Sequence, residues 1–246
     1  TLLLESDKEA KERAVDRAVG EKQELLGALP GTRYRILRQI GEGGMGTVYA
    51  AEHVDLEKVF ALKILRDDKG RERSTVVQGL RREARATSKL GHPNIVSVTD
   101  FGETPDGRVF FVMEYLEGQS MAELIDEQKV VDQDRLITVL IQVCEGLAAA
   151  HEKGVIHRDI KPDNIFLVPN RNGTETVKLL DFGVAVPAGT KRKKGSSIAG
   201  TPYYMSPEMI RLKPLDGRAD LYSLGVLAYE ALCGEPPFTA TKYGQL

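Results

Sequence analysis

His157-Arg158-Asp159-Ile160-Lys161-Pro162-Asp163-Asn164 places a carboxylate, an ammonium and a carboxamide within one short segment, and Asp181-Phe182-Gly183 adds a second carboxylate after a hairpin. A carboxylate can align a hydroxyl and take its proton, an ammonium can neutralise a phosphoryl oxygen, and a carboxylate with an amide oxygen can hold a hard cation. Together these groups suit transfer of a phosphoryl group from a metal-bound nucleotide to a hydroxyl. That chemistry also needs a phosphate-covering loop, an anchoring lysine and a glutamate to hold the lysine.

Gly41-Glu42-Gly43-Gly44-Met45-Gly46-Thr47-Val48 fits G-x-G-x-x-G-x-V. The spacing alone is weak, since dinucleotide-binding folds use a similar one. There a helix follows the glycines; here Val48-Tyr49-Ala50-Ala51 continues as a strand. No Gly-Lys-Ser/Thr follows, which excludes a Walker-type loop. Glycines in a strand-to-strand turn let backbone N–H groups approach phosphates, whereas a plain hairpin turn needs fewer of them. Lys63 sits among apolar neighbours in Phe60-Ala61-Leu62-Lys63-Ile64. A lone strand lysine is more often an exposed one, but the preceding glycine loop favours a phosphate anchor. Glu83 is its expected partner, with Glu72 the weaker alternative.

These residues must be positioned by a chain of 246 residues, long enough for one large domain or two small lobes. Its 41% hydrophobic and 28% charged content is that of a globular protein, and a formal net charge of −2 gives no field directed at nucleic acid. Cys144 and Cys233 are expected as small buried hydrophobes in a reducing compartment, neither a disulfide nor a zinc pair. No apolar run approaches membrane-spanning length. Cytoplasmic residence is expected, with any anchor in a longer parent left open.

Residues 1–32 read as a Lys/Glu/Ala-rich leader, a solvated helix or disordered segment rather than a docking helix, closed by Leu29-Pro30-Gly31. Strands are expected over 33–40, 47–53, 59–65, 95–101 and 109–113, with Asp55-Leu56-Glu57 a hairpin turn and one main helix over 74–90. Beyond Gly118 the pattern turns helical. Residues 132–153 bury Leu136, Val139, Leu140, Val143, Leu147 and Ala150, two short strands flank 169–173, and 219–233 form an apolar helix ended by Gly234 and Pro236. A strand-rich front and a helix-rich back imply two lobes, 33–116 and 117–246.

With Gly43-Gly44-Met45-Gly46, His92-Pro93-Asn94-Ile95-Val96 and Met113-Glu114-Tyr115 added, the chain resembles the eukaryotic-like protein kinases, in their bacterial serine/threonine branch. The resemblance runs from about Tyr34 to Phe238. It implies an α+β, bilobal protein-kinase fold: an antiparallel five-stranded sheet with one main helix in front, and a mostly helical back lobe, truncated here. ATP and Mg2+ are the implied cofactors. Lys63, held by Glu83, would orient the α- and β-phosphates, and Asp159 would align the hydroxyl and take its proton late. Lys161 would neutralise the transferring phosphate, and Asn164 and Asp181 would hold magnesium. Ile40, Gly41, Glu42, Gly43, Gly44, Met45, Gly46 and Val48 would cover the nucleotide. Val48, Ala61 and Phe166 would sandwich the adenine, with Met113 as gatekeeper and the backbone of Glu114 and Leu116 reading its edge. Phe166 replaces a frequent leucine.

The same resemblance implies protein substrates with serine or threonine. Lys161-Pro162-Asp163-Asn164 is similar to the serine/threonine form of the loop, and Gly200–Glu208 to the substrate-docking end of the activation segment. There Thr201 would hydrogen-bond near Asp159 and Lys161, and Ser206 replaces a common alanine. Arg158 beside Asp159 resembles kinases switched on by phosphorylation of their own loop. Ser196 and Ser197 are the best candidates and Thr190 a further one, so trans-autophosphorylation between copies is a possible partnership. The basic run Lys191–Lys194 reads first as a solvated face. Asp220 should brace the loop. Family members continue past the position of Leu246 with further helices, one carrying an arginine partner for Glu208, so apolar surface is expected on the back lobe. Two competing functions are a nucleotide-binding pseudokinase scaffold and a small-molecule phosphotransferase. Intact Lys63, Asp159, Asn164 and Asp181 disfavour the first, and the docking segment disfavours the second.

Overall fold

The computed structural model describes residues 26–43, 46–65, 88–182, 186–187 and 202–239. Gly44, Met45, Glu72, Glu83, Thr190, the basic run 191–194, Ser196, Ser197, Thr201 and nearly all of the helix expected over 74–90 lie outside these residues. The chain divides into two compact units, Thr1–Arg71 with Thr99–Tyr115, and Glu72–Val98 with Leu116–Leu246.

The first unit is a sheet. Strands β1 (Gly27–Ala28), β2 (Tyr34–Gly43), β3 (Gly46–His53), β4 (Lys58–Leu65), β5 (Val98–Glu103) and β6 (Val109–Glu114) lie in the order β1-β2-β3-β4-β6-β5. The β1–β2, β2–β3, β3–β4 and β4–β6 pairings are antiparallel. Side chains alternate across a strand. One face therefore collects Tyr34, Ile36, Tyr49, Ala51, Phe60, Leu62, Ile64, Phe110 and Val112 into a core. Tyr34 packs edge-on against His53, Phe60 and Phe110 and donates its hydroxyl proton to Asp100 at 3.1 Å.

The five expected strands are present with a sixth, β1, from the segment assigned to the leader. Leu29 is only 2% exposed within this core, and its N–H donates to the Tyr34 carbonyl at 2.9 Å. One buried leucine with a tight turn thus recruits residues 27–29 to the sheet edge.

In the second unit helices outweigh strands among the described residues. β7 (Gln119–Ser120) leads into α1 (Met121–Gln128), followed by α2 (Gln133–Glu152), β8 (Val155–Ile156), β9 (Ile165–Pro169), β10 (Glu175–Leu179), β11 (Val186–Pro187), α3 (Pro207–Ile210) and α4 (Arg218–Cys233). Short 3-10 turns occupy Pro162–Asn164 and Pro202–Tyr204. Strands order as β10-β9-β7, and β11 pairs with β8. Ser120 and Glu123 form a reciprocal capping box that starts α1. The α2 face carrying Leu136, Val139, Val143, Leu147 and Ala150 enters a core with Ile160, Ile165, Leu167, Leu179, Phe182 and Leu227. Gly234, left-handed at φ 81°, ends α4.

Two expectations change. The strand expected from Ile95 starts at Val98, because Ile95 pairs with Leu179 and the Val96 N–H donates to the Leu179 carbonyl at 2.9 Å. Residues 88–97 thus lie with the second unit rather than in the sheet. Cys144 and Cys233 are exposed, not buried. Each lies on an outward helix face, near exposed Ile141 and Tyr229 respectively. No helix among the described residues is long and apolar enough to cross a membrane.

Candidate active site

In the first unit the glycine hairpin is the β2–β3 turn, with Gly41 opposite Val48, Glu42 opposite Thr47 and Gly43 opposite Gly46. The three described glycines are not equivalent. A Cβ on Gly46 would lie 2.2 Å from the Ile64 carbonyl oxygen, so the fold itself excludes any side chain there. A Cβ on Gly43 would meet nothing within 4 Å, and one on Gly41 only the Val48 Cβ at 3.9 Å. Neither has a positive φ. Among the described residues, nothing in the fold requires glycine at these two positions.

Register places the expected nucleotide contacts on one face of the sheet. Val48 pairs with Lys63, Lys63 with Phe111, and Ala61 with Met113. Directly paired residues and those two apart share a face. Val48, Ala61, Lys63 and Met113 therefore lie together, on the face opposite the aromatic core. Lys63 is 9% exposed, which disfavours the simple exposed-strand lysine. Ile40 and Glu42 are exposed and Glu114 is half-buried. Outside the sheet, in the second unit, Leu116 and Phe166 are half-buried, Phe166 pairing with Lys178 and Ser120.

The loop chemistry belongs to the second unit. α2 ends at Lys153, Gly154 turns at φ 70°, and β8 delivers the chain to His157. Asp220, on α4 and fully buried, accepts the N–H of His157 at 2.9 Å and of Arg158 at 2.8 Å; His151 Nε2 lies 2.7 Å away. That brace holds Arg158 at φ 68°, a sparsely populated conformation for a large side chain. Asp181 is held at φ 50° in the same region.

His157 links the two acidic segments. It is 0% exposed, its Nε2 lies 2.8 Å from the Leu180 carbonyl, and its Nδ1 lies 3.3 Å from the Asp159 N–H. A carbonyl only accepts and an amide N–H only donates, so the ring proton sits on Nε2. The Leu180 N–H in turn donates to the Asn164 carbonyl at 2.9 Å. Asp181 is thereby tied, through its neighbour, to both ends of the loop. The Asn164 amide group donates to the Asp159 carbonyl at 2.7 Å and to Asp159 Oδ2 at 2.9 Å. With both N–H bonds engaged, the oxygen of Asn164 is the end left for a cation. Lys161 Nζ stands 3.4 Å from Asp159 Oδ2, each side chain 21% exposed.

Sequence reasoning missed three supporting residues. Gly118 sits at φ 153°, and a Cβ there would lie 2.0 Å from the Leu167 carbonyl oxygen and 3.2 Å from the Phe166 ring. Its signal was the turn before the Ser120–Glu123 capping box. His151 and Gly217 form the other side of the Asp220 brace, a Cβ on Gly217 falling 2.5 Å from His151 Nδ1. Nothing in the local sequence marks that pair.

A glycine hairpin beside a buried strand lysine, and an aspartate–asparagine loop suspended from a buried aspartate, define the protein kinase class. The chain belongs to that family: the protein kinase domain model matches residues 34–245. It is 41% identical over 223 residues to serine/threonine-protein kinase pkn3 of Myxococcus xanthus, covering 89% of this chain and 41% of that protein. It is 41% identical over 222 residues to Pkn1 of the same organism, covering 89% and 32%. To PknB of Mycobacterium tuberculosis it is 39% identical over 213 residues, covering 84% and 33%. The chain thus falls with the bacterial serine/threonine branch while spanning well under half the length of these relatives.

Proposed function

We propose that this chain transfers the γ-phosphate of ATP to serine and threonine hydroxyls of proteins, its own activation segment among them. The observation that carries the reading is the Asp159–Lys161–Asn164 cluster. Oδ2 of Asp159 is engaged by the Asn164 amide and approached by Lys161, which leaves Oδ1 to align a substrate hydroxyl. Aspartate is a weak base, so it orients the hydroxyl and takes its proton as the new bond forms. Lys161, beside it, offsets charge on the transferring group.

The donor set fits magnesium. The Asn164 amide oxygen and the Asp181 carboxylate are hard oxygen ligands, and the hydrogen bonds of Asn164 select its oxygen for that role. When bound, the metal neutralises phosphate oxygens during transfer. With ATP bound, Lys63 and Glu83 would orient its phosphates, Val48, Ala61 and Phe166 would contact its base, and the backbone of Gly41 and Gly43 would cover its phosphates. Thr201 would support Asp159 and Lys161. Phosphate on Ser196, Ser197 or Thr190 would be recognised by Arg158. The names of the relatives and the complete catalytic set both favour this reading over a scaffold.

The test is incubation with Mg-ATP and a protein substrate, followed by mass spectrometry of both chains. Phosphoserine or phosphothreonine is expected with wild type and absent with Asp159→Asn. A wild type that binds Mg-ATP but transfers nothing would leave the scaffold reading standing.

A further inference from the structure

The turn between β9 and β10 carries chemistry that the catalytic set does not use. Of the four asparagines in the chain, Asn172 alone precedes a glycine. In that pair the glycine's backbone nitrogen can close a cyclic imide on the asparagine Cγ, and no side chain hinders its approach. Asn172, Gly173 and Thr174 are all exposed, and a Cβ on Gly173 would meet nothing within 4 Å. Asn94 and Asn164, by contrast, precede isoleucines and are buried.

The turn also gathers donors around the reacting group. The Thr174 N–H donates to Asn172 Oδ1 at 3.1 Å, and the Thr174 hydroxyl donates to the same oxygen at 2.7 Å. The Asn170 side-chain amide donates to that hydroxyl oxygen at 2.9 Å, which directs the hydroxyl proton to Asn172. The Asn170 N–H donates to the Thr174 carbonyl at 2.8 Å, and Glu175 pairs with Pro169, so the turn is anchored on the strands beside it. When a nucleophile adds to a carbonyl carbon, negative charge gathers on the oxygen, and donors already aimed there stabilise it. The two bonds to Oδ1 also leave Nδ2 as the end free to depart. One contact opposes the attack. The Gly173 N–H donates to the Asn170 carbonyl at 3.1 Å and must first come free, an opening that exposed turns undergo readily.

We propose that Asn172 is a site of self-modification by deamidation, assisted by Thr174. The Gly173 nitrogen, its proton given to hydroxide, adds to Asn172 Cγ, and the carbonyl electron pair moves onto Oδ1, where the Thr174 donors hold it. Collapse breaks the Cγ–Nδ2 bond, and Nδ2 leaves as ammonia with a proton from water. Water then opens the cyclic imide at either of its carbonyls, giving aspartate or isoaspartate. The net change turns an amide and water into an acid and ammonia, so no oxidant or cofactor enters. An aspartate product keeps both Thr174 bonds and strengthens them by its charge, whereas isoaspartate adds a carbon to the backbone of the turn. None of this depends on the kinase reading.

The experiment incubates the full chain at mildly alkaline pH as wild type, as Thr174→Val, which keeps the shape without the hydroxyl, and as Thr174→Ser, which keeps the hydroxyl. Peptide mass spectrometry follows the amide-to-acid mass gain, and chromatography separates the two products. Wild type is expected to convert at Asn172 and not at Asn170. Thr174→Val should convert about five-fold more slowly, a small share of what such a donor gives in a dry site because this turn is wet. Thr174→Ser should stay within about two-fold of wild type, since its donor remains. In urea the three chains should convert at rates within about two-fold of one another, because the unfolded turn holds no fixed donors. No mass gain at Asn172 in the folded wild type overturns the site. A folded Thr174→Val as fast as wild type, a Thr174→Ser as slow as Thr174→Val, or a deficit that persists in urea overturns the assistance by Thr174.

Discussion

At the scale of single residues, the glycines of the hairpin separate what the fold demands from what a ligand demands. Gly46 meets the Ile64 carbonyl, whereas Gly43 faces open space. Gly46→Ala should therefore destabilise the protein by about 2–3 kcal/mol through overpacking against backbone, read as a lower urea midpoint. Gly43→Ala should leave that midpoint nearly unchanged and raise KM for ATP several-fold, since the added methyl occupies space the phosphates need. If Gly43→Ala instead unfolds the protein and leaves KM alone, the phosphate role of the hairpin is lost. In the sequence all the glycines look alike. Their division depends on which strand edge each one crosses, a property of the β3–β4 register.

At the scale of elements, alternation revealed the main strands because each buries one face, and the helical stripe of α2 revealed its core side. It failed where a contact distant in sequence decides. Ile95 carries a strand-like pattern yet is drawn to Leu179, so β5 starts later. Gly27–Ala28 has no strand pattern at all and becomes β1 through the burial of Leu29. The sheet also contains a titratable group in its core. Burial, followed by the charge and hydrogen bond of Asp100, pushes the Tyr34 phenol up to about 12, against an ordinary value of about 10. Because the folded value is raised, the neutral phenol's contribution is complete below about pH 10 and is lost as pH rises toward 12. Melting temperature should fall across that window more steeply in wild type than in Tyr34→Phe. Equal slopes would mean that Tyr34 does not titrate late.

At the scale of the whole molecule, Lys63 belongs to one compact unit and Asp181 to the other. The kinase reading has both serving one nucleotide. A ligand that binds only the native state adds stability by mass action, so Mg-ATP at about 100-fold above its Kd should stabilise the chain by about 2.7 kcal/mol. Lys63→Met and Asp181→Asn should each remove most of the corresponding rise in melting temperature. A shift that survives either substitution intact would count against a shared nucleotide. Ile137 and Ile141 on α2 and Leu221, Tyr229 and Leu232 on α4 are exposed.

The sequence by itself determined the family and the candidate residues, because phosphoryl transfer restricts residue type and order so strongly that Asp159, Lys161, Asn164, Asp181 and the glycine hairpin stand out as a candidate set without coordinates. Only the tertiary structure decided what holds them. The brace of Asp220 on His157 and Arg158, the link from His157 to Leu180 and the cap of Lys153 on Lys89 and Leu90 all join residues far apart in the chain. Such bonds leave no periodicity and no motif, since any carboxylate, imidazole or ammonium can make them once folding brings a buried backbone group within reach.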